Sequence, residues 1–275
     1  MSARALAARG VKLASVVVDG VLRPPPGVVV LAYHQVGAPS PGPVNLPPSL
    51  FEEQVAWLAS EARPVALDAA ADLLAGPATA PIGSPPPVVV TFDDGTADFV
   101  EAAVPILVRH RVPVTLYLAT RFVEEGRSFW GDGTVLSWAA LRDVLATGLV
   151  TIGSHTHDHL LLDRSPPAEV AADLDRSIGL VADRLGVDAG HFAYPKALAP
   201  SVAAATEVAA RFRTAALAGS RPNRPGRTDL QRLSRTPIQT SDGTDWFRRK
   251  ALGGMRLEGV LRSVLDRRRH AGAER

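Results

Sequence analysis

The sequence predicts an α/β fold of one domain's size, a parallel barrel in which strands and helices alternate. Three observations carry this expectation. The chain has 275 residues, 46% of them hydrophobic, which suits a single (β/α) barrel with a sizeable core. Short Val-rich runs, fit for strands buried on both faces, alternate with longer segments of helical spacing. Several of those runs end in carboxylates or imidazoles, at the strand end where barrels place their chemistry.

Composition removes several classes of function. There is no cysteine, so disulfides and thiolate metal sites are excluded, and any metal must be held by His and carboxylate. The formal net charge is only +2, which gives no case for nucleic acid as a partner. No apolar run is long enough to span a membrane. Leu13–Val18, bounded by Lys12 and Asp19, is too short for an export core, so a cytoplasmic location is expected.

In chain order, residues 1–27 read as an N-terminal arm or surface helix, closed by Pro24, Pro25 and Pro26, because proline ends a helix. Val28–Tyr33 is a first buried strand with His34 just past its end. Ser49 can cap a helix through Ala59, with Phe51, Val55 and Leu58 on one stripe and Trp57 against the barrel. The Pro-rich connection Gly76–Pro87 delivers the chain to VVVTFDDG, Val88–Gly95. Adjacent side chains of a strand point to opposite faces, so a turn must begin at Asp93-Asp94 if both acids are to reach one site. Gly95 permits that turn. Two acids at the end of a buried strand are costly unless bonded, paired or metal-bound.

Phe99–His110 is expected to be a helix kinked at Pro105, and Val112–Ala119 a strand. Arg121–Trp138 reads as a long polar loop carrying Phe129 and Trp130, aromatics that could stack on a sugar ring or close the barrel top. Ser137 caps a helix that Gly148 ends. The strand Leu149–Gly153 then runs into Ser154-His155-Thr156-His157-Asp158-His159. His155 and His159, four apart, face the same way if they lie on one helical turn. Two neutral imidazoles and a carboxylate from a neighbouring strand make a three-ligand metal site with an open position. His157 points away from that pair. Ser165–Leu185 and Pro200–Phe212 supply outer helices, and Arg213–Leu217 and Gln231–Ile238 late strands. Thr244–Arg269 is expected to be one helix, ending in Arg267, Arg268 and Arg269.

TFDDG followed by H-T-x-x-H resembles the polysaccharide deacetylase family, whose NodB homology domain defines carbohydrate esterase family 4. VLAYHQV at Val30–Val36, the helix over Leu46–Leu58, and HFAYPK at His191–Lys196 are similar to further stretches of that family, and the likeness runs from Val28 to Ile238. The resemblance implies an irregular parallel (β/α) barrel of seven or eight strands, NodB-type. It divides the chain into residues 1–27, a barrel domain over 28–243, and a C-terminal helical extension over 244–275.

It also implies the removal of N-acetyl, less often O-acetyl, groups from a carbohydrate. Asp94, His155 and His159 would hold a divalent metal ion, zinc being the one implied. Asp93 would be the general base, and a backbone N–H near Lys196 would hold the oxyanion. Tyr194, Pro195, Lys196 and Trp130 would meet the substrate. The sequence departs from the family at three places. Ala193 stands where an Arg often holds the catalytic Asp, and Lys196 where an aromatic often follows the Pro. Leu233-Ser234-Arg235 stands where Leu-x-His often supplies the general acid. His34, His157 and His191 are the candidates for that acid. Arg235, near the end of a late strand, is expected to reach Asp93 from across the barrel and replace the missing Arg. The alternative class is a catalytically silent sugar-binding or scaffold protein on the same fold. A metal-independent amidohydrolase is a third reading, disfavoured because all three ligand positions are filled.

Overall fold

The computed structural model describes residues 3–130 and 135–261. Seven strands form the barrel: β1 (Val29–Tyr33), β2 (Pro87–Phe92), β3 (Val114–Leu118), β4 (Val150–Ser154), β5 (His191–Ala193), β6 (Thr214–Ala218) and β7 (Leu233–Pro237). All pairings between them are parallel, each strand lies beside the next in sequence, and β7 closes on β1 with Val30 opposite Arg235. A two-residue strand, Arg63–Pro64, adds to the start of β2.

Strand alternation sorts the core into two layers. Val29, Leu31 and Tyr33 of β1 and Val88, Val90 and Phe92 of β2 face outward. They pack on helix α2 (Pro48–Glu61), through Phe51, Val55 and Leu58, and on Phe99 and Leu107. Tyr33, Phe51, Phe92 and Phe99 form a chain of aromatic contacts with centroids 5.1–5.6 Å apart. Each such buried ring contributes roughly 1.5–3 kcal/mol relative to exposure. Val30, Val89, Tyr117, Ala193, Ala216 and Leu233 face inward, where α3 (Leu67–Ala75) plugs the barrel floor with Leu67, Ala70 and Leu74. This plug was not anticipated from the sequence.

Four expectations are corrected. Pro105 does not kink a plain helix. Phe99–Ala103 is a π-helical turn that runs into α4 (Val104–Arg109), so the ring sits in the first turn of α4, where a missing N–H breaks nothing. The polar loop after β3 begins with a short helix, α5 (Thr120–Glu124), whose first N–H groups, on Thr120 and Arg121, donate to the carbonyls of Thr156 and His157. The C-terminal stretch is not one helix. α9 (Asp245–Ala251) stops at Gly253, with φ 84°, and the chain is helical again over 256–261. Arg267, Arg268 and Arg269 lie outside the described residues. The fourth concerns the His cluster and is taken up below.

The remaining outer helices are α6 (Trp138–Leu145), α7 (Pro167–Leu185) and α8 (Val202–Ala209). The N-terminal segment forms α1 (Ala3–Val21). It is tied to the later part of the chain by bonds that include Lys12 Nζ to Asp242 and to the Ser241 carbonyl, the Glu258 N–H to Ser15 Oγ and the Met255 N–H to Asp19.

Candidate active site

The C-terminal ends of the strands open into a cleft of about 220 Å³, lined by His34, Asp93, Asp94, His155, His159 and Arg235 among others. Asp93 still follows the inward face of β2, two residues past Thr91. Asp94 reaches the same cleft because its own backbone turns left-handed, at φ 75°, followed by Gly95 at φ 87°. Asp tolerates that region better than most side chains. At Gly95 a Cβ would stand 2.3 Å from Leu118, so glycine is required there on two counts.

His155 and His159 do converge, but not on a helical turn. The chain over 155–159 is a bend in which Thr156 (φ 68°) and His159 (φ 55°) are both left-handed. Asp173, from α7, makes the bend possible by accepting the N–H groups of His157 (2.7 Å) and Asp158 (2.9 Å). The two imidazoles end with centroids 5.0 Å apart. His155 Nε2 lies 3.6 Å and His159 Nε2 3.8 Å from Asp94 Oδ1. Three ligands about 2.1 Å from one tetrahedral ion stand about 3.4 Å from one another, so the spacing fits a shared cation. Among the described residues, these three are the group that could hold one.

Two further observations support the fit. His155 Nδ1 lies 2.7 Å from the Ala193 carbonyl, to which it can only donate, so Nε2 keeps its lone pair toward Asp94. Burial, then the charge of Asp93, raises the Asp94 carboxyl well above its ordinary range, a cost that a cation between the ligands removes. Burial likewise lowers His155 to about 4 and His159 to about 3, which keeps both imidazoles neutral and able to ligate.

Arg235 meets Asp93 in two bonds, Nη1 to Oδ1 at 2.5 Å and Nη2 to Oδ2 at 2.9 Å. This fork is what a guanidinium can make and an ammonium cannot. Its plane lies over the Tyr117 ring, 5.1 Å from the centroid, and Nη1 also donates to Thr91 Oγ1. Burial alone would raise Asp93. The Arg235 charge outweighs it, with help from His155 and the Arg235 bonds, and holds the carboxyl well below its ordinary range. Asp93 is therefore ionised at neutral pH.

The three imidazoles weighed as general acid separate cleanly. His34 Nε2 stands 3.9 Å from Asp93 Oδ2 in the cleft, and its Nδ1 is buried without a partner among the described residues. Burial lowers its pKa, against a smaller raising effect of Asp93. His157 is turned away, with Nδ1 on Thr120 Oγ1 at 2.9 Å. His191 sits at the start of β5, two residues before Ala193, and its ring is bonded to Thr214 and to Asp68 of α3. Neither of these two lines the cleft.

Two substrate-facing expectations are corrected in the same way. Tyr194 is buried behind the wall, packed on Phe192 with centroids 5.1 Å apart among side chains of α7 and α8. Pro195 is buried as well, and neither residue lines the cleft. Lys196 and Trp130 do line it, together with Phe129, whose ring meets His159 edge-on at 4.9 Å. Lys196 and Ala197 are left-handed (φ 54° and 53°). The Ala197 N–H is spent on the Tyr194 carbonyl, which leaves the Lys196 N–H as the donor to offer an oxyanion. Tyr117, Asp173 and the Ala193 carbonyl were not anticipated. Asp173 alone left a sequence signal, as an acid on the apolar stripe of Val170, Leu174 and Val181.

The fold and site together define a hydrolytic centre of carboxylates and imidazoles at the mouth of a (β/α) barrel. Residues 82–214 match the polysaccharide deacetylase family, a stretch that holds Asp93, Asp94, His155 and His159, and with the fold this match supports a carbohydrate deacetylase. Among solved structures it is similar to IcaB from Ammonifex degensii, with 25% identity, TM-score 0.72, and coverage of 84% of this chain and 98% of that one. It is similar in fold to the Streptococcus pyogenes deacetylase PplD, solved in complex with acetate (19% identity, TM-score 0.70, 82% and 99% covered). It is likewise similar to a de-N-acetylase from Aggregatibacter actinomycetemcomitans (18% identity, TM-score 0.66, 81% and 99% covered). The comparison with curated proteins found no match. Among the described residues, no helix is long and apolar enough to cross a membrane.

Proposed function

We propose that the barrel, residues 28–243, hydrolyses N-acetyl groups on a carbohydrate with the help of one divalent metal ion, zinc by its preference for two imidazoles and a carboxylate. One observation carries the reading. Asp94, His155 and His159 converge on one side of the cleft, while the other side presents Asp93, already ionised and fixed by Arg235. Asp94, His155 and His159 would hold the ion, which when bound supplies Lewis acidity to the acetyl carbonyl and acidifies water.

Asp93 takes a proton from water as its oxygen adds to the carbonyl carbon. Arg235 keeps the carboxylate ionised and its lone pair aimed. The Lys196 N–H supports the oxyanion. His34, whose Nε2 stands 3.9 Å from Asp93 Oδ2, relays the proton that Asp93 took from water to the sugar nitrogen as the C–N bond breaks, which leaves acetate and a free amine and returns Asp93 to its ionised form. Trp130, 48% exposed at the mouth, offers a face to the sugar ring.

The test pairs metal content with acetate release from N-acetylhexosamine oligomers, nucleotide sugars and lipid-linked sugars. The expected result is about one ion per chain, lost in His155→Ala and in His159→Ala together with acetate release. Stoichiometric metal in both variants would sink the ligand assignment. Metal without acetate from any substrate would favour a silent binding protein.

A further inference from the structure

A second and larger cavity, about 580 Å³, lies outside the barrel wall between α1, the loop after β6 and the helical stretch 256–261. Its volume is in the range of sites for whole small ligands. The lining is apolar over Val18, Leu22, Leu257 and Val260, yet it includes Arg221, Arg232 and Arg256 and no acidic residue. Arg256 is already engaged, donating to the Leu22 carbonyl and lying 3.7 Å from Asp19. Arg221 and Arg232 are exposed, and their guanidiniums make no hydrogen bond or ion pair with described residues. An apolar hollow with two uncommitted guanidiniums at its edge is complementary to a molecule that is both apolar and anionic.

The position of the cavity relates it to the cleft. Ala218, the last residue of β6, lines both. On β7, Ser234 faces the cavity and its neighbour Arg235 faces the cleft, as alternation along a strand requires. A ligand in the cavity therefore needs to cross only the barrel rim at Ala218 to place an attached group over Asp93. The surface around the cavity continues its apolar character. Val17 is 68% and Val21 78% exposed on α1, and Val260 is 60% exposed opposite them, so the ligand would enter from an apolar surrounding.

We propose that this cavity binds a lipid phosphate, its alkyl chain against Val18, Leu22, Leu257 and Val260 and its phosphate on Arg221 and Arg232. The acetylated sugar is carried on that phosphate into the cleft. The assignment of the sugar rests on the deacetylase reading; the cavity's preference for an alkyl phosphate does not.

Binding is measured by calorimetry on the full chain with three probes below their micelle-forming concentrations: dodecyl phosphate, inorganic phosphate and uncharged dodecyl maltoside. Dodecyl phosphate should bind at least tenfold more tightly than either of the others. Arg221→Ala with Arg232→Ala should weaken dodecyl phosphate by tenfold or more and leave dodecyl maltoside unchanged. Val260→Asp, at an exposed position, should also weaken dodecyl phosphate while leaving the melting temperature unchanged.

Equal binding of inorganic phosphate would overturn the lipid in favour of a plain anion site, and equal binding of dodecyl maltoside would overturn the phosphate. Unchanged dodecyl phosphate affinity in the double variant would place the ligand elsewhere. Because this readout uses no acetate release, a chain that binds dodecyl phosphate but deacetylates nothing refutes the deacetylase reading alone.

Discussion

Asp93 and Asp242 are both buried carboxylates held by cations, and they serve different ends. Asp242 is saturated. It accepts Lys12 Nζ at 2.5 Å on one oxygen, and on the other Lys250 Nζ at 2.9 Å and the Gln239 N–H at 2.8 Å. Lys12 belongs to α1 and Lys250 to α9, and Lys250 also donates to the Pro237 carbonyl of β7, so the cluster fastens α1 and α9 to the barrel. Asp93 has one cation, Arg235, and its carboxylate borders an open cleft with His34 opposite. The residue types and the direction of the pKa shift are shared. The difference is accessible lone pairs. A carboxylate whose acceptor sites are filled can only hold structure, whereas one that is fixed but still faces solvent can move a proton.

The sharpest way to break this contrast is Asp93→Asn. Acetate release should fall roughly 10²–10⁴-fold, the usual worth of a general base, with bound metal retained. Turnover within tenfold of wild type would make Asp93 as structural as Asp242. Asp242→Asn should do the reverse. It leaves two buried ammoniums short of their counter-charge, so denaturant unfolding should show a loss of roughly 3–5 kcal/mol, with kcat per folded molecule unchanged.

Arg235→Lys tests the fork itself. An ammonium keeps the charge but loses one of two charge-assisted bonds, worth roughly 1.5–3 kcal/mol. Acetate release should drop at least about tenfold, and the acidic limb of kcat/KM should move to higher pH as Asp93 becomes easier to protonate. An unchanged limb would remove Arg235 from the mechanism.

The smallest effect expected is in the pH dependence of stability. Burial would raise the Asp242 carboxyl, but Lys250 and Lys12 outweigh it and lower the group below its ordinary value. The stability it brings is complete above the unfolded carboxylate range near about 4 and is lost as pH falls through the lower folded value. Wild-type stability should therefore decline below about pH 4 more steeply than that of Asp242→Asn. Equal slopes would mean that the cluster contributes no linkage.

Much of the site was legible because its signals are local. A Val-rich run ending in Asp-Asp-Gly, a pair of imidazoles four residues apart, and an Arg near the end of a late strand each need only a few residues of context. Local periodicity also held information that the sequence reading left unused. Tyr194 follows Phe192 by two, so the pleat turns both rings outward and leaves the small Ala193 inward, with its carbonyl free for His155. Read with period 2, HFAYPK assigns Tyr194 to the outer core rather than to the substrate.

What the sequence by itself determined was the order of strands, the face of the barrel that carries chemistry, and the identity of the three candidate ligands, because strand period and chain order are properties of neighbouring residues. Tertiary structure alone decided how the ligands meet. His159 turns back toward His155 through left-handed backbone and two bonds to Asp173 of α7. Asp93 is fixed by an Arg that lies 142 residues away in sequence. His34, His157 and His191 differ only in where the closed barrel points them. These are contacts between segments that share no local pattern, and closing seven strands into one ring is what brings them within bonding distance.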